Sequence, residues 1–294
     1  MKTGFRLVVC WIGFAVALIL SGFVDGVLHL HAGPLPGGVS VQTLFLTQLV
    51  AGVVLVVGLW PLARSLAAPA ALRVAAFTTF LLLAFGLNGI IEALKFTDLL
   101  DEGISTAVAF YVCLAVILGA ALGLLFGTAG QLAGLPHRSW PAWTWRVAAA
   151  WLGWPVVYLF FGMCIAPIVT PYYNAGIAGL RIPSMSVVVE MQLLRSLFFL
   201  AGTLPFVALS KVSRRSLWLT LAVANAFTVG FYGIASATFL PVVLRVTHSV
   251  EMTCDAFAYA GLLVLLFTAP AVKLNASDRR EQAAPSSAPA FHSR

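Results

Sequence analysis

Four ionisable side chains recur at helical spacing in one stretch, Arg245-x2-His248-x2-Glu251-x3-Asp255, within an apolar run. On a helix they fall with Met252 and Tyr259 inside an arc of about 120°. Such a face can line a polar cavity, relay protons or hold a divalent metal. Charge inside a bilayer is costly, so Asp255, the deepest of the four, is expected to be buried and paired. Arg245 is expected to reach water at the rim.

Other groups with chemical capacity lie elsewhere in the chain. Asp25 and His29 stand at i, i+4, followed by His31, and a carboxylate and an imidazole at that spacing can share a proton or a metal. Asn88, Glu92 and Lys95 share a helical face, where the plain expectation is a rim ion pair of little energetic value. Glu190, Gln192 and Arg195 form a third set. Arg195 is the deepest cation in the sequence and needs a counter-charge, for which Asp255, Glu92 and Asp25 are the candidates. The candidate pocket is therefore Asp25, Glu92, Arg195, His248, Glu251 and Asp255. His29, His248 and Glu251 have the right types for a metal, but their spacing is too generic to specify one. A bis-histidine haem would need two facing histidines at one depth, and His29, His31 and His248 sit at span ends. No cofactor is implied. Cys10, Cys113, Cys164 and Cys254 form no C-x-x-C pair and read as packing residues. No phosphate-binding loop, dinucleotide fingerprint, H-E-x-x-H or G-x-S-x-G is present.

The elements that must position these groups are membrane helices. The chain is 61% hydrophobic and 9% charged over 294 residues, whereas a soluble domain carries about 25% charged residues. Eight apolar stretches have spanning length, at 7–28, 42–62, 74–94, 105–127, 147–169, 187–209, 216–238 and 247–269. Backbone groups in lipid must be satisfied within each segment, so the fold class is all-α, a polytopic membrane protein. Thr170–Asn174 and the residues to Ser184 are read as an outer loop. Residues 273–294 lack any apolar period and read as a disordered cytoplasmic tail.

Charge sets the expected orientation. With the N-terminus inside, all of the 17 lysines and arginines except Lys95, Arg181, Arg195 and Arg245 fall on the inner side. Of the 10 acids only Asp278 and Glu281 do. This predicts a cell (inner) membrane protein with both termini cytoplasmic and an outward-facing polar site. The net charge of +7 is a topology signal; no nucleic-acid partner is implied. The first span has no small-x-small cleavage site and is read as retained.

The sequence also matches itself. Arg6, Trp11, Gly13 and Gly22 recur as Arg146, Trp151, Gly153 and Gly162. Gln48, Gly58 and Pro61 recur as Gln192, Gly202 and Pro205, and Gly86, Gly89, Ile90 and Ala93 as Gly230, Gly233, Ile234 and Ala237. Two parallel four-helix units are expected, 1–128 and 129–272. Asp25 aligns with Ile165 and Glu92 with Ser236, so the outer acids break the match. Three functions follow as expectations. The favoured one is transport, or binding of an ion or small molecule, at the outer polar pocket. The alternatives are a membrane enzyme or redox protein with an outer metal site, and a structural or accessory subunit. Matched broken helices, a usual transporter sign, are not evident in the sequence.

Overall fold

The computed structural model describes residues 2–30, 39–130, 135–136 and 138–268. His31 and the tail expected from 273 lie outside them. Among the described residues, eight helices are long and apolar enough to cross a membrane. They are α1 (Thr3–Leu28), α2 (Val41–Ser65), α3 (Ala70–Phe96), α4 (Ile104–Leu125), α5 (Trp140–Asn174), α6 (Met185–Leu209), α7 (Arg214–Ser236) and α8 (Val242–Phe267). Their order and limits follow the apolar stretches closely. The exception is α5, which runs through Thr170–Asn174, residues expected to be loop. Pro167 and Pro171 lie inside it without ending it, and Tyr173 packs edge-on against Phe96 and His248.

Helix α1 lies against α4 and α2, and α5 lies against α8 and α6. Helices α3 and α4 pack together, as do α7 and α8. The two sets meet where α2 crosses α7 and α6 crosses α3. Glycines permit those crossings: a Cβ on Gly202 would sit 2.7 Å from the Ala84 Cβ, and one on Gly58 would overlap Phe227. Half of the apolar window of α3, α6, α7 and α8 is buried, against 22% for α1 and 17% for α5. The central four are therefore the helices able to shelter a polar site from lipid.

Two of them are not uniform α-helices. Helix α3 is π-helical over Phe80–Leu87 and α7 over Ala226–Phe231. The wide turns coincide with Gly86 and Gly230. Nearby side chains bond back to their own helix: Asn88 Nδ2 donates to the Ala84 carbonyl at 3.2 Å and Asn225 Nδ2 to the Leu221 carbonyl at 2.9 Å. Nothing in the composition of α3 or α7 signals these turns, because glycine occurs throughout the chain.

The two faces of the bundle differ. On the one bearing the start of α1, here the basic face, arginines close helix ends. Buried Arg73 donates to the carbonyls of Gly123 (2.9 Å), Thr128 (3.1 Å) and Ala68. Arg138 and Arg146 both donate to the Leu266 carbonyl, at 3.1 and 2.9 Å. On the opposite, acidic face, Arg181 straddles the Asp101 carboxylate at 3.0 and 3.2 Å and donates to the Leu94 carbonyl at 2.6 Å. Gly179, at φ 74°, lies so close to Asp98 that any side chain would strike its carboxylate.

Candidate functional site

The site is assembled on the three helices α3, α6 and α8, with α5 as its outer wall. Arg195 stands ten residues into α6 from the acidic face, about 15 Å along the helix and so near mid-bilayer. It is fully buried. Its Nη2 donates to Glu92 Oε2 at 2.8 Å, and its Nη1 lies 3.4 Å from Gln192 Oε1. The guanidinium is also held among rings, 6.0 Å from the Trp154 centroid, 5.7 Å from Tyr158 and 5.9 Å from Phe199. Trp154 Nε1 donates to the same Gln192 Oε1 at 2.9 Å. Of the three candidate counter-charges, Glu92 therefore makes the contact, and it reaches Arg195 rather than Lys95.

Helix α8 supplies the acids. Its charged face does not act as one group. Arg245 turns away and donates through Nε to the Ile234 carbonyl at 2.9 Å, closing the end of α7 instead of reaching water alone. His248 Nδ1 lies 2.8 Å from Glu251 Oε2, and its Nε2 lies 3.2 Å from the Tyr173 hydroxyl. Glu251 is 4% exposed; its other oxygen points at α5, where a Cβ on Gly162 would approach it to 3.3 Å. Asp255, one turn deeper, is 1% exposed, and neither of its oxygens accepts a hydrogen bond. The charges of Glu251, Arg195 and Glu92 all act on it. The expectation of burial is met, but no donor reaches its carboxyl.

Glu92, Arg195, His248, Glu251 and Asp255 thus gather on three adjacent helices. Asp25 does not join them. It faces α4, where Thr106 hydrogen-bonds its carboxyl. His29 ends α1 in a left-handed conformation, φ 50°. Among the described residues no three histidine, cysteine, aspartate or glutamate side chains converge as metal ligands.

Sequence reasoning passed over the aromatic surroundings of Arg195. Trp151, Trp154 and Tyr158 follow one another at i, i+3 and i+7, a face of α5 that could have been set against the buried cation. A cleft of about 210 Å³ opens between α5, α6 and α8. Its walls include Phe96, Tyr158, Met163 and Val188, and His248 and Glu251 form its polar part. No protein-family model, curated protein or solved structure matches the chain. Fold and geometry together define an integral membrane protein with an ionisable cluster enclosed by its central helices.

Proposed function

We propose that the protein binds a small cation or cationic molecule at Glu92, Arg195, Glu251 and Asp255 and passes it across the cell (inner) membrane. The observation that carries this reading is Asp255, a carboxyl at the bundle's centre with both oxygens buried and no hydrogen-bond donor. A polar group left this way costs free energy, which a purely structural role gives no reason to retain. A positively charged guest offsets that cost while bound. With His248 neutral, the carboxylates of Glu92 and Glu251 outnumber the single guanidinium of Arg195, which favours a guest of that sign.

The distribution of lysine and arginine supports an orientation with the basic face and both termini in the cytoplasm, and with the cluster toward the extracytoplasmic side. The duplication into 1–128 and 129–272 is part of the same proposal. Matched hydrogen bonds support it: Trp11 Nε1 donates to the Leu49 carbonyl at 2.9 Å, and Trp151 Nε1 to the Leu193 carbonyl at 2.8 Å. So do the π segments, which fall in matching helices, and the pairing of Leu66 with its counterpart Ser210. In this reading α3 and α7 are the helices that change shape, since π turns concentrate at functional positions.

The test is flux. Protein reconstituted in vesicles is expected to pass at least one of H⁺, Na⁺, K⁺ or methylammonium. Asp255→Asn is expected to abolish that flux without lowering folded yield. Wild-type vesicles as tight as empty ones to all four would sink the proposal. One observation favours a second reading, an accessory subunit whose charges only fix helices: Arg195–Glu92 links α6 to α3, across the two proposed units. That reading expects Arg195→Ala to lose folded protein and Asp255→Asn to change nothing.

A further inference from the structure

The cleft between α5, α6 and α8 differs from an ordinary gap between membrane helices in one respect. Its walls are apolar and aromatic, and two of them, Met163 and Met185, are 66% and 65% exposed at the bundle's surface. Met163 lies 11 residues inside α5 from its acidic-face end, so this part of the opening faces the hydrocarbon layer beside the protein. At its inner end stands Glu251, nine-tenths buried, with one oxygen held by His248 and the other accepting no hydrogen bond among the described residues. A carboxylate oxygen presented to an apolar cleft selects for a cationic donor. Tyr158 and Tyr173 line the same space and lie in the fields of both Glu92 and Glu251. Aromatic rings in such a wall suit a cation better than an anion.

Resting on the function proposed above, we infer that this cleft takes a lipophilic primary ammonium, an amine with a compact apolar or aromatic body, that enters from the bilayer. The ammonium donates to Glu251 Oε1, and the body lies between the methionines and aromatics of α5 and α6. An anion of the same shape is disfavoured: Glu251 stands in the cleft wall, and Arg195, which lies outside the wall, is already engaged by Glu92 and enclosed by rings. A phospholipid phosphate is disfavoured for the same reason. A neutral molecule of the same shape gains the walls but not the charge.

The probe is radiolabelled 2-phenylethylammonium, measured by equilibrium binding to the full-length protein in lipid nanodiscs. Saturable binding is expected, competed by unlabelled amine and not by 3-phenylpropionate or 2-phenylethanol. Glu251→Gln is expected to weaken it about tenfold or more, the scale of one hydrogen bond to a charged group. Ala166→Trp fills the cleft without touching a charge and is expected to abolish binding, so the question stays decidable if Glu251→Gln fails to fold. Equal competition by the alcohol or the carboxylate would overturn the inference. So would binding unchanged in Ala166→Trp, or unchanged in a folded Glu251→Gln. If the amine does not bind but inorganic cation flux depends on Asp255, this inference fails and the proposed function stands.

Discussion

Arg195 and Glu92 differ in their access to water: the arginine side chain is fully buried, and the glutamate is 31% exposed. Removing either partner therefore has unequal consequences. Glu92→Ala leaves a buried cation whose remaining side-chain hydrogen-bond partner among the described residues is the Gln192 amide oxygen, with ring faces around it. Breaking a buried pair this way costs about 3 kcal/mol or more. Arg195→Met leaves a carboxylate that can still turn toward water, so its cost is smaller. The double variant Glu92→Ala/Arg195→Met is expected to recover most of the stability lost in Glu92→Ala. Thermal unfolding of purified protein in detergent measures all three, and a double variant as unstable as Glu92→Ala would refute the argument. The need for a counter-charge to Arg195 was legible from its depth in the sequence. The choice of Glu92 was not, because it depends on how α3 rotates against α6, and hydropathy carries no information about rotation. Asp255 shows the same limit. Its burial follows from its depth in α8, but its lack of a donor depends on which side chains the neighbouring helices present.

At the scale of the helices, small residues and π turns matter more than apolarity. Every span reads as a helix because lipid leaves the backbone no other way to satisfy its groups, so the eight elements were legible from composition alone. Their contacts are set by a few close approaches. Gly202 faces α3 across a gap too small for a methyl group, whereas nothing lies within 4 Å of a Cβ on Gly22. Gly202→Ala is expected to lose about 1–3 kcal/mol through overpacking between α6 and α3. Gly22→Ala is expected to be neutral or slightly stabilising, since alanine favours a helix. Melting temperatures of the two variants decide this, and equal values would contradict the packing. The π segments of α3 and α7 were not legible. They arise where glycine and short polar side chains compete with the regular ladder, and that competition is settled by packing against α6, α2 and α8.

For the whole molecule, the two faces carry different kinds of charge, and these do different work. Arginines of the basic face act partly as helix caps: Arg73, Arg138 and Arg146 each hold carbonyls at the ends of α4 or α8. Their position is thus fixed by structure as well as by the rule that places lysine and arginine in the cytoplasm. The acidic face has its own fastening, the Arg181–Asp101 pair between two connections, exposed on both sides and of modest energetic value. One side chain can thus serve capping and orientation together, and a direct measurement of sidedness separates the two. Glu102 and Lys211 are exposed on opposite faces, in the α3–α4 and α6–α7 connections. In a variant with its four cysteines replaced by alanine, a single cysteine at either position gives a clean readout. A membrane-impermeant maleimide applied to intact spheroplasts is expected to label Glu102→Cys and to label Lys211→Cys only after lysis. The reverse pattern would invert the protein and place the mouth of the Glu251 cleft near the cytoplasm. The helix packing and the cluster chemistry would stand unchanged, and only the direction in which a guest is taken up would be reversed.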